Sequence, residues 1–420
     1  MFLQIKIRSY PVILVYFLIN YCGIVQQQAA ASGNMSGAFF TKQYPDLFTE
    51  LIGADTIQVN QKIDKAWQQL FYGSDEDERL YFPAGPDMAY IKDVLHDDVR
   101  SEGMSYGMMI AVQLDKKQEF DRLWKWAKTY MQHTEGPGKT FFAWHMRPDG
   151  TVIDSNSAPD GEEYIVMSLL FAAARWGCGT GVYNYRKEAD TLLEAMLSKA
   201  EEPDSNGIVT NMFNKHEKQV VFVPAGSAAN FTDPSYHLPH FYELWSRWAG
   251  NHRRFWYEAA AASRKFLRKT VHPVTGLAPD YANFDGSPRE ARWASGHTDF
   301  RFDAWRVAMN IAMDFVWFAA DSWQVVQSNR LLDFFYRAGP DSYVNQYSLD
   351  GRPLSNQRST GLIAMNAVAC LAATHEKRQD FIRALWEMEI PSGIFRYYDG
   401  YLYMLALLNV SGHYRIYYLN

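Results

Sequence analysis

Cysteine is nearly absent from this chain: three in 420 residues, none in a CxxC pair. That removes a disulfide-stapled scaffold and a structural zinc site from consideration. The two that follow residue 31, Cys178 and Cys370, lie in apolar helical contexts and read as buried free thiols rather than a disulfide. A basic excess is missing as well. Forty-one Lys and Arg face 47 Asp and Glu, for a formal charge of −6, so nucleic acid is not an expected partner. No low-complexity linker divides the chain after residue 40, and no metal or cofactor motif stands out. What is abundant is apolar and aromatic: 48% hydrophobic and 15% aromatic residues, far from the composition of disordered chains. Most of those rings must fill a core. Aromatic richness without excess charge also suits a neutral ligand with flat apolar faces, such as a sugar.

The first thirty residues differ from the rest. Lys6 and Arg8 form a short basic stretch, Pro11 to Val25 is almost wholly apolar, and Ala29-Ala30-Ala31 offers small residues for cleavage. This is the pattern of a secretory signal peptide. The apolar run is short of the roughly 20 residues a membrane span needs, so no transmembrane span is expected in the mature chain. Lipid attachment at Cys22 is not expected, because Tyr21 stands where a small residue is wanted. Removing residues 1–31 takes away Lys6 and Arg8 and no acid, moving the charge from −6 to −8. The expected location is secreted or periplasmic, and the expected working unit a monomer.

From residue 41 onward apolar residues recur with helical spacing. The pattern predicts helices near 41–53, 56–72, 102–131, 160–176, 186–200, 235–248, 252–270, 303–320, 322–338, 358–373, 377–388 and 398–410. Strand-like pieces are few, at 80–82, 140–144 and 220–223. A core usually stops growing at about 250–300 residues, yet nothing divides this chain. About twelve sequential helices without a linker predict one all-α domain over residues 32–420, an (α/α)6 barrel with six inner helices around a pit.

Three acids at predicted helix starts carry the candidate chemistry. Glu102 follows Ser101, a potential N-cap, and stands among Gly103, Tyr106, Gly107 and several methionines. It is either a capping acid in the helix dipole or, in an apolar setting that raises a carboxyl pKa, a general acid. Asp160 precedes Glu163 at a capping-box spacing and reads first as an N-cap. Asp303 has Arg306 one turn on, either an ordinary surface ion pair or a cation that keeps a general base ionised. His237 and His240 have metal-like spacing, but Pro239 breaks the helix that would align them, and a packed or sugar-contacting role is favoured.

Together and in this order, these segments resemble glycoside hydrolase family 8. Ser101-Glu102-Gly103-Met104-Ser105-Tyr106-Gly107-Met108 is similar to the signature around that family's proton donor. Asp303-Ala304-Trp305-Arg306 resembles the segment of its general base, Pro159-Asp160-Gly161-Glu162 the segment whose aspartate grips the sugar, and Asp233-Pro234-Ser235-Tyr236 the stretch whose tyrosine sits near the attacking water. Longer runs, including Thr275-Gly276-Leu277-Ala278-Pro279-Asp280-Tyr281 and Arg396-Tyr397-Tyr398-Asp399, look like the reducing-end xylose-releasing exo-oligoxylanases of that family. The resemblance implies an inverting hydrolase of β-1,4-linked xylo-oligosaccharides without a cofactor. Glu102 would be the acid and Asp303 the base, with Asp160 positioning the sugar, Tyr236 the water, and Arg306 holding Asp303 ionised. Trp144 is the candidate stacking platform, with Tyr106, Tyr281 and Tyr398 as further sugar contacts. One stretch departs from the exo-enzymes: their Leu-His-Pro loop corresponds to Leu354-Ser355-Asn356-Gln357-Arg358, without the histidine. An endo-acting xylanase or glucanase therefore stays open. Two readings from other classes are a polysaccharide lyase, against which the acidic charge counts, and a non-catalytic glycan-binding protein.

Overall fold

The computed structural model describes residues 36–201, 209–291, 293 and 295–419. The expected signal peptide lies outside the described residues. Two short helices come first, α1 (Ala38–Thr41) and α2 (Leu47–Ile52). Twelve more follow in outer–inner alternation. The outer members are α3 (Thr56–Tyr72), α5 (Lys117–Trp126), α7 (Tyr185–Ala195), α9 (Arg253–Thr270), α11 (Trp323–Ala338) and α13 (Arg378–Glu387). The inner members are α4 (Ser101–Gln113), α6 (Pro159–Trp176), α8 (Pro239–Trp248), α10 (Arg306–Phe318), α12 (Thr360–Ala369) and α14 (Arg396–Val410). The architecture is the expected (α/α)6 barrel.

The sequence difference between the two rings is physical. Outer helices bury one stripe: α9 buries Trp256, Ala259, Ala260, Ser263, Phe266 and Leu267, at spacings of three and four. Inner helices are covered on every side; α4 is buried from Gly103 to Gln113. The inner ring closes because α4 packs on α6 and α14, α12 on α14 and α10, and α10 on α8. Tyr164 of α6 meets Phe241 of α8 edge to face at 5.0 Å to complete it. All six inner helices run the same way, and their N-termini surround one pit.

Four expectations change. The single helix over 102–131 is two helices, because Asp115 turns into the left-handed region (φ 63°), a conformation aspartate tolerates. The helix over 41–53 is only α1 and α2, outside the barrel. These differences cancel, so twelve was reached with the wrong members. Cys178 is exposed rather than buried; it and the buried Cys370 are free thiols.

Strands are short, and one small sheet serves the pit's rim. Val99–Arg100, His145–Met146 and Val152–Asp154 form an antiparallel sheet that pairs Arg100 with His145. Two hairpins, Tyr81–Ala84 with Met88–Ile91 and Phe213–Asn214 with Gln219–Val220, lie elsewhere. The expected strand at 140–144 is instead a loop just before the rim sheet.

Candidate active site

The pit is a cavity of about 780 Å³ walled by Glu102, Trp144, Asp160, Tyr236, Asp303 and Tyr398, among others. Each acid stands at an inner-helix start, where unpaired backbone amides favour negative charge. Glu102 is the second residue of α4 and Asp160 the second of α6, while Asp303 lies in a 3-10 turn (Phe302–Trp305) leading into α10. Neither Ser101 nor Asp160 is a cap. Arg100 and Ala158 occupy the N-cap positions, and neither makes a side-chain cap bond. Pro159 starts α6 by its preset φ, which frees the Asp160 carboxyl for other partners.

Those partners meet at Arg306, which is 1% exposed at the floor of the pit. Its Nη1 donates to Asp160 at 2.7 Å, to Tyr106 Oη at 2.6 Å and to Glu102 at 3.1 Å. Its Nη2 donates to Ser235 Oγ at 2.9 Å and lies 3.0 Å from Asp303. One guanidinium thus bridges Glu102 and Asp303, at 3.1 and 3.0 Å, across the same pit.

Only Arg306 bonds all three carboxyls among the described residues, so full ionisation would leave excess negative charge around it. The balance is best met by a proton on Glu102. Burial is the main cause that pushes its carboxyl up to about 8, against the pull of Arg306 and with help from the Asp303 and Asp160 charges. Burial also raises Asp160, but Arg306 and the Gly161 amide, at 2.9 Å, both stabilise its anion. Asp303 is the most open of the three: 31% of its side chain is exposed, against 17% for Glu102 and 5% for Asp160. The arrangement therefore pairs a protonated acid with a solvent-facing carboxylate. Phe302, just before Asp303, has φ 32°, a strained conformation for an aromatic residue of the kind that clusters at functional sites.

The loop bearing Trp144 is pinned from two inner helices. The Trp144 carbonyl accepts from the Ser101 amide at 2.9 Å, and Glu162 Oε1 accepts from the Phe142 amide at 3.0 Å. Tyr398 donates to the Phe302 carbonyl at 3.2 Å and to Asp303 at 3.4 Å. Tyr106 and Tyr281, expected as sugar contacts, do not wall the pit. Tyr106 is 1% exposed beneath Arg306. Tyr281 is buried outside the pit with its ring stacked 4.0 Å from His297. His237 and His240 are packed, and burial pushes both imidazoles down to about 3.

Four wall or floor residues escaped sequence reasoning. Tyr397 Oη reaches Glu102 at 3.5 Å, and Asp399, raised by burial to about 6, accepts from the Gly361 amide at 2.9 Å. Both sit in the quoted Arg396–Asp399 run, as Ser235 sits beside Tyr236, so adjacency was the available signal. Arg100 had the same signal, standing directly before the Ser101–Met108 run, and it pairs with His145 across the rim sheet. Among the described residues, Asp93, His96 and Asp98 on that rim bring ligating atoms within 4.8 Å of one another. Arg100 already bonds Asp93 at 3.0 Å and Asp98 at 3.1 Å, and His145 meets Asp98 at 2.6 Å.

Residues 93–412 match the model of the glycosyl hydrolases family 8, and the chain belongs to that family: it is a glycoside hydrolase. It is 46% identical to the reducing-end xylose-releasing exo-oligoxylanase Rex8A of Paenibacillus barcinonensis, over 91% of this chain and 98% of the relative. It is 41% identical to the reducing end xylose-releasing exo-oligoxylanase of Halalkalibacterium halodurans, over 91% and 96%. Among solved structures, a family 8 xylobiose complex from Teredinibacter turnerae is 48% identical with a TM-score of 0.87, covering 90% of this chain and 99% of that one.

Proposed function

We propose that the chain is an inverting hydrolase that shortens β-1,4-linked xylo-oligosaccharides by releasing xylose from the reducing end. The observation that carries the chemistry is the single Arg306 guanidinium shared by Glu102, Asp160 and Asp303. In this reading Glu102 gives its proton to the glycosidic oxygen as the bond to the anomeric carbon breaks. Asp303 takes a proton from a water that attacks that carbon from the opposite face, so the product has the inverted anomeric configuration. Arg306 holds Asp303 and Asp160 as anions, Asp160 positions the sugar bound at the reacting centre, and Tyr236 orients the water. Trp144 and Tyr398 offer ring faces to the sugars. The substrate class is supported by the activities of the Paenibacillus and Halalkalibacterium relatives and by the xylobiose held in the Teredinibacter structure.

The exo mode has a direct test. An enzyme that recognises the intact reducing-end ring leaves borohydride-reduced xylotetraose uncut, and releases xylose from the unreduced sugar with new α-anomeric ends visible by NMR. A second reading, endo cleavage, is favoured by Leu354–Arg358, which lacks the histidine; the Arg358 guanidinium is turned onto the Pro340 and Asp341 carbonyls. Steady hydrolysis of the reduced sugar, with rapid viscosity loss in polymeric xylan, selects that reading.

We further propose that residues 1–31 direct secretion and are removed. N-terminal sequencing of the exported protein should begin near residue 32; a mature chain that retains Lys6 and Arg8 refutes this. We also propose a monomer as the working unit, to be read by light scattering.

A further inference from the structure

Behind Asp303, on the side away from the pit, lies a second acid–base pair that the chemistry above does not use. Asp280 Oδ2 and His297 Nδ1 are 2.6 Å apart, with 4% and 13% of their side chains exposed. The two residues sit on loop strands that hold each other. The Asp280 amide donates to the Asp299 carbonyl at 3.0 Å and the Tyr281 amide to the His297 carbonyl at 2.9 Å. The His297 ring lies flat on Tyr281, 4.0 Å away at 3°. From residue 299 the chain runs directly into the strained turn that presents Asp303. The Asp280 carboxyl is buried, with Oδ2 against His297 and the Ala304 amide stabilising its anion.

The charge around Asp303 is already committed. Arg306 faces it at 3.0 Å, and Arg301 lies two residues before it. From other elements it is faced by the carboxyls of Glu102, Asp160 and Asp233 and by the phenols of Tyr236, Tyr281 and Tyr398. A further anion at Asp280 would oppose ionisation of Asp303.

We infer that Asp280 and His297 form a neutral, proton-sharing brace that positions the turn carrying Asp303 while adding no charge beside it. The pair holds one proton between a carboxyl and an imidazole. Burial, followed by the Asp303 charge, pushes Asp280 up to about 8 against Arg301 and Arg306, and burial, followed by Arg301, pushes His297 down against the Glu290 and Asp303 charges. Each partner thus favours its uncharged form, the carboxyl donating to the imidazole nitrogen. These are positioning residues, since neither reaches the pit wall.

The inference rests on the proposed function, and its test separates the two. The pH profile of kcat/KM is first recorded for the wild-type chain on xylotetraose; absence of hydrolysis there refutes the substrate reading, not the brace. With an active wild type, Asp280→Asn keeps a neutral side chain of the same shape. Its acid limb should stay in place and its kcat within a few-fold of wild type. Asp280→Ala and His297→Ala remove the brace, and each should lower kcat about tenfold or more with KM within about threefold, circular dichroism showing the fold retained. An acid limb in Asp280→Asn displaced downward by about one pH unit or more would mean a charged Asp280 and overturn the inference. So would wild-type kcat in both alanine variants. If Asp280→Ala fails to fold, His297→Ala and the Asp280→Asn profile decide.

Discussion

At the scale of single residues, the division of labour follows from exposure and charge. Glu102 and Asp303 touch the same guanidinium, yet one is held in a mostly dry wall and the other opens to solvent. Burial raises the Glu102 carboxyl to about 8, which keeps it protonated at neutral pH, as a proton donor requires. Activity is therefore expected to fall as pH rises through about 8, where Glu102 loses its proton, and that alkaline limb should appear in kcat/KM. Glu102→Gln cannot donate, and should lose about 10²–10⁴-fold in kcat while still binding xylo-oligosaccharides in calorimetry. A variant with near wild-type turnover would remove Glu102 from the role. In the sequence the two acids stand out through the resemblance of their segments to family 8 motifs, because an acid at a helix start also reads as a cap or one half of a surface ion pair. The partners of Arg306 were only partly so. Its i,i+3 relation to Asp303 is a local signal, whereas its bonds to Tyr106, Asp160 and Ser235 join residues 71 to 200 positions apart. That separation is also why Tyr106 reads as a wall residue in sequence and turns out to be a floor support.

At the scale of elements, the site depends on how closely inner-helix starts approach. Gly161, the third residue of α6, faces the first residue of α4: a Cβ there would lie 2.6 Å from Ser101 Oγ and 2.8 Å from Ser101 Cβ. The neighbouring positions on the two helices are Asp160 and Glu102, so any spreading moves both carboxyls. Overpacking of this kind typically costs about 1–3 kcal/mol. Gly161→Ala should lower the denaturation midpoint accordingly and reduce kcat, with residual protein folded by circular dichroism. Wild-type stability and turnover in that variant would show that the two helix starts have room to separate. The glycine is visible in the sequence, but its reason is not, because α4 and α6 meet only in the folded barrel. The break between α4 and α5 was hidden for a different cause. Leu114-Asp115-Lys116 contains neither Gly nor Pro, and the turn is held by tertiary bonds from Arg175 and Trp176 to Asp115, at 2.8 and 2.7 Å.

At the scale of the whole molecule, six inner helices sharing one direction concentrate acids at one end of a largely apolar barrel, and the barrel must tolerate them. Glu162 illustrates the consequence. It is fully buried in α6, where Oε1 accepts from the Phe142 amide at 3.0 Å. Burial raises its carboxyl from 4.5 to about 8. Below pH 4.5 it is protonated in both folded and unfolded chains, and its favourable contribution to folding is fully present. Between pH 4.5 and 8 the unfolded chain releases the proton while the folded chain keeps it, so stability declines as pH rises and the contribution is gone above 8. One such proton gives a slope of about 1.4 kcal/mol per pH unit. Glu162→Gln keeps an oxygen for the Phe142 amide but cannot titrate. Its unfolding free energy, measured by denaturant at pH 5, 6 and 7, should decline less steeply than wild type by up to that amount per unit. Parallel curves for the two proteins would mean that Glu162 is already ionised in the folded chain.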